Sequence, residues 1–379
     1  MSKLRVVCGR GHRFGGLWLV ICFTSLFGCT TGLQNRNAGT MLISENPQIT
    51  INNSRMSIVH VGSNDSFAIT PNGRKAGQLL FEALTKNNKD LARQAISIWN
   101  EIIPRENYGG EYTALQWFAT YFVADKPERE KMTAEPFANE FFLLFADKNY
   151  AVLKEYLKRK YKAQNIGDEE TYAGQTRKAW LEDTILFNNP RREEWEQTSR
   201  FMELIDLKPG QTVADLGAGP GYYTFRFAKK VGPSGKVYAI DTVQDHLKYV
   251  DKTAKKIGIQ NVEIIHTDGR TLGLADKKVD VVFLCSLYHN IYAMSTEPER
   301  TELVESIKKA LNDKGVLYLV DNGLVPPGTL PYHGPYIAKE LVIAQLAAYG
   351  FDLIMDWQPI AQRYMLAFKK KAASNIEVK

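Results

Sequence analysis

The chain has 379 residues, 44% of them hydrophobic and 11% aromatic, which is enough for more than one globular unit. Its formal net charge is +6, but positions 1–28 hold four basic residues and no acidic one, so the rest of the chain carries only +2. This small charge excludes the strong positive field of a nucleic-acid-binding protein, and we expect no nucleic-acid partner.

Residues 1–28 have the pattern of a secretory signal peptide. Their basic residues precede an apolar run from Leu17 to Phe27, which is short for a membrane span. The tetrapeptide Leu26-Phe27-Gly28-Cys29 resembles a bacterial lipobox. That resemblance implies cleavage before Cys29, lipid on its sulfur and a lipoprotein anchored in the cell envelope. Because Thr30 and not aspartate follows, it favours the outer membrane of a bacterium with two membranes. An uncleaved signal anchor and a misassigned start codon are the alternatives.

The cysteines agree with such processing. Cys8 and Cys22 would leave with the signal and Cys29 would carry lipid, so only Cys285 remains in the body of the chain. One thiol cannot form an intramolecular disulfide, and no cysteine spacing typical of a metal site is present. We therefore expect neither a disulfide nor a metal ion.

Residues 29–71 are rich in Asn, Ser, Thr and Gly, with one short apolar patch from Ile58 to Val61. This composition predicts a flexible tether with room for one stray strand.

Residues 72–165 have a helical pattern and predict a small all-α domain. Residues 91–102 form a single apolar stripe at helical spacing, and aromatic side chains dominate the segments that follow Gly109-Gly110. These aromatics favour a helical core over an apolar substrate pocket. The basic face of residues 151–161 is typical of a solvated helix, with anionic lipid as the alternative partner. Gln164 to Lys178 is polar and predicts a linker.

The stretch around which the second unit is organised begins at Thr212. An apolar run from Val213 to Leu216 predicts a buried parallel strand, and Tyr222 to Lys230 predicts a helix. Between them the sequence has the pattern D-x-G-x-G-x-G, formed by Asp215, Gly217, Gly219 and Gly221. A dinucleotide fingerprint would need its third glycine at position 222, which is a tyrosine. The pattern still predicts a ligand cradle, because residues without side chains let the backbone approach a ligand closely.

A second acidic residue supports this interpretation. Lys236 to Asp241 predicts a strand that ends in Asp241, 20 residues beyond Gly221. A carboxylate there can accept hydrogen bonds from both hydroxyls of a ribose. The alternative is that Asp241 only caps the following helix.

The remaining chain continues the alternation. Predicted strands and helices follow one another until two closing strands, a pattern that indicates an α/β fold with a doubly wound, mostly parallel sheet over residues 190–370. The predicted helices are Arg192 to Leu207, His246 to Ile257, one opened by Pro298, and Tyr336 to Tyr349; the predicted strands are Val262 to His266, Val279 to Cys285, Val316 to Asp321, Phe351 to Trp357 and Arg363 to Phe368.

The segments VADLGAGPGYYT, KVYAIDT, VEIIHTDG, VDVVFLCSLYHNI and LNDKGVLYLVDNG together resemble class I S-adenosylmethionine-dependent methyltransferases, in particular the ubiquinone/menaquinone C-methyltransferase-like group. The resemblance covers about half of the chain. It implies a Rossmann-like sheet of seven strands whose last strand inserts antiparallel, with S-adenosylmethionine bound across the strand carboxyl ends. It also implies that Asp268 lies against the adenine amino group. The glycine loop and Thr267-Asp268-Gly269 are similar to protein-isoaspartate methyltransferases as well, but their Ser-Gln-Pro segment is absent.

The residues after the fourth strand of this unit are the acceptor-side candidates. In the resembled family, the segment equivalent to Ser286–Asn290 shapes the acceptor pocket, so we expect His289 to act as a catalytic base and Tyr288 to pack against the cofactor. A helix cap or a structural hydrogen bond is the alternative role for His289. Tyr332 and His333 are further candidates, whereas Cys285 has the pattern of a buried strand residue.

The sequence thus predicts S-adenosylmethionine-dependent methyl transfer to an unidentified, small-molecule acceptor by a membrane-anchored lipoprotein. The predicted export of the protein conflicts with this activity, because S-adenosylmethionine is not expected to be supplied outside the cytoplasm. Two other hypotheses therefore stay open: a non-catalytic envelope lipoprotein that binds S-adenosylmethionine, S-adenosylhomocysteine or a nucleoside, and a structural protein on the same fold.

Overall fold

The computed structural model describes residues 48–51, 54–57, 59–60, 69–106, 108–161, 179–330, 332 and 335–372. The predicted signal peptide, Cys29 and the predicted linker over residues 164–178 lie outside these ranges. Within them, no helix has both the length and the apolar character that crossing a bilayer requires.

The N-terminal helical unit is built around aromatic side chains. Trp99, Phe118, Phe141 and Phe145 are fully buried in one core, which confirms the prediction that these aromatics pack against one another. The helices are α1 (Pro71–Lys86), α2 (Lys89–Glu106), α3 (Glu111–Val123), α4 (Lys126–Met132) and α5 (Pro136–Tyr161), the last interrupted by non-helical backbone at 147–150.

A sixth helix, α6 (Ala179–Phe187), lies in the interval that the sequence analysis left between the two predicted domains. Its Leu181 and Ile185 belong to the core of the helical unit. The single helix predicted from Arg192 to Leu207 is wrong, because Gln197 has a left-handed φ of 58° and divides it. The structure has α7 (Arg192–Glu196) and α8 (Thr198–Ile205) instead.

A seven-stranded sheet with the predicted topology forms the second unit. Its strands are β4 (Thr212–Leu216), β5 (Lys236–Asp241), β6 (Val262–His266), β7 (Val279–Cys285), β8 (Leu311–Asn322), β10 (Phe351–Ile360) and β11 (Arg363–Lys370). Their order is β10-β11-β8-β7-β4-β5-β6. The pairs among β4 to β8 are parallel, and β11 is inserted antiparallel between β8 and β10. The carboxyl ends of five strands therefore meet at one edge, and so does the start of β11.

Helices cover both faces of this sheet, as a doubly wound fold requires. They are α9 (Tyr222–Val231), α10 (Gln244–Lys256), α11 (Tyr288–Met294), α12 (Glu297–Ala310) and α13 (Lys339–Ala348). The helix predicted from Tyr336 to Tyr349 is wrong at its start, since a two-residue strand, β9 (Tyr336–Ile337), precedes α13. Strand β8 likewise begins five residues before the predicted Val316.

Part of the predicted tether is paired in strands. Strands β1 (Gln48–Ile51) and β2 (Ser54–Ser57) form an antiparallel hairpin, and β3 (Val59–His60) pairs with β9. Residues 29–71 are therefore not a tether throughout, because backbone hydrogen bonding to β9 fixes one piece of them on the second unit.

The helical unit packs directly on the sheet unit. Phe137 of α5 lies 5.9 Å from the ring of Tyr222 and 5.7 Å from that of Phe225, both on α9. Glu140 forms an ion pair of 2.8 Å with Lys256 of α10. The two units therefore share a packed interface that includes α9, which follows the glycine loop, and α10, which follows β5.

Candidate active site

The glycine loop between β4 and α9 adopts a backbone that only glycine tolerates easily. Gly217, Gly219 and Gly221 have φ values of 74°, 52° and 93°. The N–H groups of Gly217 and Ala218 both donate to the carbonyl of Ile240, at 2.8 and 3.0 Å, and this ties the loop to β5. A Cβ added to Gly219 would meet no described atom within 4 Å, so the loop presents an open surface there.

Asp241 holds the same loop from the end of β5. One carboxylate oxygen accepts the N–H of Gly219 at 2.7 Å and the other accepts that of Val243 at 2.7 Å. Burial acts to raise the pKa of Asp241, but nearby His246 and these two N–H groups hold it below its usual value. A carboxylate offers about four acceptor positions, and His246 Nδ1 also lies 3.5 Å from Oδ1, so about one position remains for a ribose hydroxyl. Capping the following helix is therefore not the only role of Asp241, because its carboxylate also accepts the N–H of Gly219 in the glycine loop.

Asp215 lies behind the loop. It is 3% exposed and accepts a hydrogen bond of 2.6 Å from the Thr224 hydroxyl, which joins β4 to the first turn of α9. Burial raises its pKa to about 7, so the carboxyl is close to half protonated at neutral pH.

Asp268 follows β6 at the same sheet edge and is exposed. Its carboxylate accepts the N–H of Arg270 at 3.0 Å, which fixes the turn. The three acids 215, 241 and 268 therefore follow or end three neighbouring parallel strands, and the first two are buried whereas the third is exposed.

These residues fit a nucleoside-bearing cofactor. The open surface at Gly219 admits a flat group, and Asp241 beside it retains acceptor capacity for a ribose. In open α/β sheets such ligands bind at the strand carboxyl ends, where this set of residues lies.

His289 lies farther along this edge, in the first turn of α11. Its Nδ1 is 2.6 Å from Asp321 Oδ1, and its backbone N–H donates to the other oxygen of Asp321 at 3.1 Å. Both side chains are buried. With Nδ1–H donated to Asp321, the lone pair of the ring is on Nε2, where it can accept a proton. Sequence reasoning found His289 and missed Asp321, although an acid ending the strand that neighbours β7 was a usable signal.

Tyr288 has a different placement from the one expected. It is 2% exposed in the hydrophobic core, and its hydroxyl donates to Gln345 of α13 at 2.5 Å. This arrangement indicates that Tyr288 packs and orients α11, and we retain only His289 as a candidate catalytic residue.

A buried charged cluster lies beside this histidine, and the sequence analysis did not predict it. Glu196 lies between Arg192, 2.9 Å away, and Arg363, 3.2 Å away, and all three side chains are at most 3% exposed. Burial acts to raise the pKa of Glu196, but the two guanidinium groups outweigh it and hold the pKa at about 2. Arg363 reaches this edge because it starts the antiparallel strand β11. The pair Arg192 and Glu196, four residues apart on one helix, was a weak signal.

Cys285 and Ser286 connect this cluster to the end of β7. Arg363 lies 3.0 Å from Cys285 Sγ and donates to the Ser286 hydroxyl at 2.9 Å. Burial raises the pKa of Cys285 to about 11, which keeps it a protonated thiol. Ser286 has a left-handed φ of 54°, a strain that often accompanies functional sites. Tyr332 is buried with its ring 4.4 Å from the guanidinium of Arg363, and His333 lies outside the described residues.

Comparison with known proteins agrees with this geometry. A family model of methyltransferase domains matches residues 207–362. A protein-L-isoaspartate O-methyltransferase from Methanococcus maripaludis is 33% identical over 115 residues, which cover 30% of this chain and 49% of that protein. A demethylmenaquinone methyltransferase from Geobacillus stearothermophilus is 32% identical over 92 residues, or 24% of this chain and 38% of that protein.

Among solved structures, a SAM-dependent methyltransferase from Aquifex aeolicus is 25% identical, with a TM-score of 0.40, and the match covers 47% of this chain and 92% of that one. The chain spans about half the length, or less, of the two curated relatives named above. Residues 207–362 thus match a methyltransferase domain, and the curated relatives that share this part of the chain are named as methyltransferases.

Proposed function

We propose that this protein transfers a methyl group from S-adenosylmethionine to an acceptor bound at the carboxyl ends of β7 and β8. The observation that carries the proposal is the pair His289 and Asp321, which lies at the same sheet edge as the glycine loop and offers a base there. When bound, the cofactor supplies a methyl group on a positively charged sulfur, which is open to in-line attack.

The residues of the chain then have separate tasks. The glycine loop and Asp241 would hold the nucleoside, and Asp268 would lie toward the adenine. The acceptor atom forms its new bond to the methyl carbon while the carbon–sulfur bond breaks, and the electron pair of that bond stays on sulfur. His289 Nε2 takes the proton that the acceptor loses, and Asp321 stabilises the resulting imidazolium through Nδ1–H.

We propose a small-molecule acceptor. The side chains of His289 and Asp321 are buried, and the buried charged cluster of Arg192, Glu196 and Arg363 lies beside them. One relative is named demethylmenaquinone methyltransferase, so a quinone ring, which loses a proton when it is methylated, is the acceptor class to test first. The other is named protein-L-isoaspartate O-methyltransferase, and transfer to a protein carboxylate, which loses no proton, would contradict both the small-molecule acceptor and the role of His289 as base.

Membrane anchoring through Cys29 is also part of this proposal. It is supported by the basic start of the chain, the apolar run and the lipobox-like tetrapeptide. Lipid chains stabilise membrane binding by about 0.8 kcal/mol per buried methylene, so several of them would hold the protein on the membrane. Mass spectrometry of the mature N-terminus tests it, with Cys29→Ser as the matched variant. An unmodified Met1 or a free Cys29 thiol contradicts the anchor.

The central experiment measures binding and transfer separately. Calorimetric titration of the full chain with S-adenosylhomocysteine tests the cofactor site, and methyl-labelled S-adenosylmethionine with metabolite and protein extracts tests transfer. Binding together with labelling of an extract component supports the enzyme. Binding with no labelling in any extract favours the non-catalytic ligand-binding lipoprotein, and absence of binding contradicts both.

A further inference from the structure

One buried histidine is not explained by the proposed reaction. His246 is the third residue of α10, is 5% exposed, and lies between two carboxylates. Its Nε2 is 3.2 Å from Asp183 of α6, and its Nδ1 is 3.5 Å from Asp241 of β5. Asp241 is the acid that holds the glycine loop, whereas Asp183 comes from a helix packed in the core of the N-terminal helical unit. His246 therefore joins the two units at the cofactor site.

The charge balance favours a protonated ring. The first turn of a helix is unfavourable for a cation, so an isolated histidine there would tend to be neutral. Burial also acts to lower the pKa of His246, but the carboxylates of Asp183 and Asp241 outweigh both effects and raise it to about 10. With a charged ring, Asp183, His246 and Asp241 together carry a net charge of −1. With a neutral ring, they would carry two negative charges in a buried site.

The same segment of chain contacts the glycine loop at a second point. The Asn188 side chain, which directly follows α6, donates a hydrogen bond of 2.7 Å to the carbonyl of Pro220, and Asn188 is fully buried. Asp183 is thus connected to Asp241 through His246, and Asn188 contacts the glycine loop that Asp241 holds.

We propose that His246, held as a cation between Asp183 and Asp241, is a positioning residue that fixes the cofactor-binding carboxylate of Asp241 and makes cofactor binding depend on α6. The inference rests on the proposed function, because it assumes that Asp241 binds the ribose of the cofactor. An imidazolium at Nδ1 keeps Asp241 ionised and aimed at the N–H of Gly219. Without it, the carboxylate would face Asp183 unshielded and take up a proton more easily.

Several other groups could respond to pH at this site. The groups that face His246 are Asp183 from α6 and Asp241 from β5, and Asp215 of β4 lies beyond Asp241. On α10 itself, Asp245 is paired with Lys248 at 3.1 Å, and burial raises the pKa of Tyr249, which stays neutral. Asp215 titrates near neutrality and is coupled to Asp241, so the parent and the variants below are also compared with Asp215→Asn present in both, which removes its contribution.

The charge state is measured first, in the ligand-free full chain. A nuclear magnetic resonance titration of labelled histidines, with His246→Gln to assign the signal, should show an imidazolium at residue 246 up to at least pH 8. A neutral ring at pH 7 overturns the inference without reference to the cofactor.

The positioning role is measured by calorimetry with S-adenosylhomocysteine between pH 5.5 and 8.5. His246→Gln should weaken binding about tenfold at pH 7.5, since an orienting charge-assisted contact is lost. The ratio of variant to parent dissociation constants should grow as the pH falls, which a purely structural role would not produce. Asp183→Asn, which leaves the ring and Asp241 in place, should cause a smaller loss of about threefold. Asp245→Asn is the matched control and should bind like the parent.

Thermal unfolding without ligand shows whether each variant is folded. If His246→Gln does not fold, Asp183→Asn carries the test. Folded variants that bind like the parent at every pH overturn the inference while leaving the proposed function intact. A parent chain that does not bind S-adenosylhomocysteine overturns both.

Discussion

Two buried histidines at one sheet edge differ in the number of carboxylates that surround them. His289 has a single partner, Asp321, on its Nδ1, and Nε2 retains a lone pair. His246 has a carboxylate at each ring nitrogen, Asp183 and Asp241. A histidine with one carboxylate can accept a proton from a reacting group, whereas one held between two carboxylates is already a cation. The same side chain therefore serves as a base in one place and as a fixed positive charge in the other.

Replacing His289 tests this comparison most directly, because His289 is the histidine that we expect to act as a base. His289→Gln keeps a polar side chain but removes the base, and methyl transfer should fall by about 10²–10⁴-fold. Binding of S-adenosylhomocysteine should stay within about twofold of the parent, because residue 289 is not in the glycine loop. Steady-state transfer and calorimetry on one preparation check both statements. A rate of methyl transfer equal to that of the parent would mean that His289 caps a helix or makes a structural hydrogen bond instead.

The cofactor side is tested at Gly219. Gly219→Val introduces a branched side chain at a φ of 52° and into the open surface of the loop. Binding of S-adenosylhomocysteine should weaken by about a hundredfold or more, through steric exclusion and a displaced N–H that Asp241 accepts. Calorimetry measures the loss. Gly232→Val is the matched control, because Gly232 also has a left-handed φ, of 68°, and an open surface but follows α9. A Gly219→Val protein that binds like the parent places the site elsewhere.

Asp241 gives a smaller effect of the same kind. Asp241→Ala removes the acceptor for the N–H of Gly219 and, in the proposed function, for the ribose of the cofactor, so binding should weaken by about ten- to a hundredfold. Calorimetry with S-adenosylhomocysteine checks the loss, and Asp245→Asn is again the control. Unchanged affinity would leave Asp241 as a structural residue of the loop only.

Local sequence patterns were sufficient for most of the parallel strands and for the glycine loop, whereas the antiparallel last strand was implied by the family resemblance. Strand β4 begins one residue before its predicted start, and Asp241 lies at the end of β5 as expected, because both features depend on short-range alternation and on glycine. The failures depend on long-range contacts. Strand β9 needs β3 as its partner, and residue 363 reaches the site only because β11 is inserted antiparallel. Asp183 lies in a stretch with no motif, and its role depends on the packing of α6 against α10.

The charged cluster of Arg192, Glu196 and Arg363 allows a measurement of how far the free energy of unfolding depends on a buried counter-charge. Glu196→Gln removes the carboxylate that pairs with both buried guanidinium groups and leaves only Asp321 to act on Arg363, so the free energy of unfolding should fall by about 3–5 kcal/mol. Urea unfolding at pH 7 measures the change. Glu194→Gln on the same helix is the control, since its ion pair with Arg191 is largely exposed and should contribute less than about 1 kcal/mol. Equal losses in the two variants would mean that the cluster does not depend on the charge of Glu196.

Asp215 provides the smallest and most specific test, because its pKa is shifted in the opposite direction to those of Asp241 and Glu196. Burial raises the pKa of Asp215 to about 7 in the folded chain, whereas an unfolded aspartate titrates near 4. Between those values the folded state binds a proton that the unfolded state has released. The free energy of unfolding should therefore decrease as the pH rises from about 4 to about 7, and this contribution should be constant above that range.

Asp215→Asn isolates this contribution, since the amide oxygen can still accept the hydrogen bond of Thr224. The difference in unfolding free energy between variant and parent should shift in favour of the variant by about 3 kcal/mol between pH 4.5 and 7.5, because each pH unit between the two pKa values corresponds to about 1.4 kcal/mol. Urea unfolding of ligand-free protein at the two pH values measures it, with Asp245→Asn as the control for an exposed acid. A difference that does not change with pH would mean that Asp215 is ionised throughout. In that case the guanidinium of Arg192, which acts to lower the pKa of Asp215, would be the positive charge that keeps this buried carboxylate ionised beside Asp241.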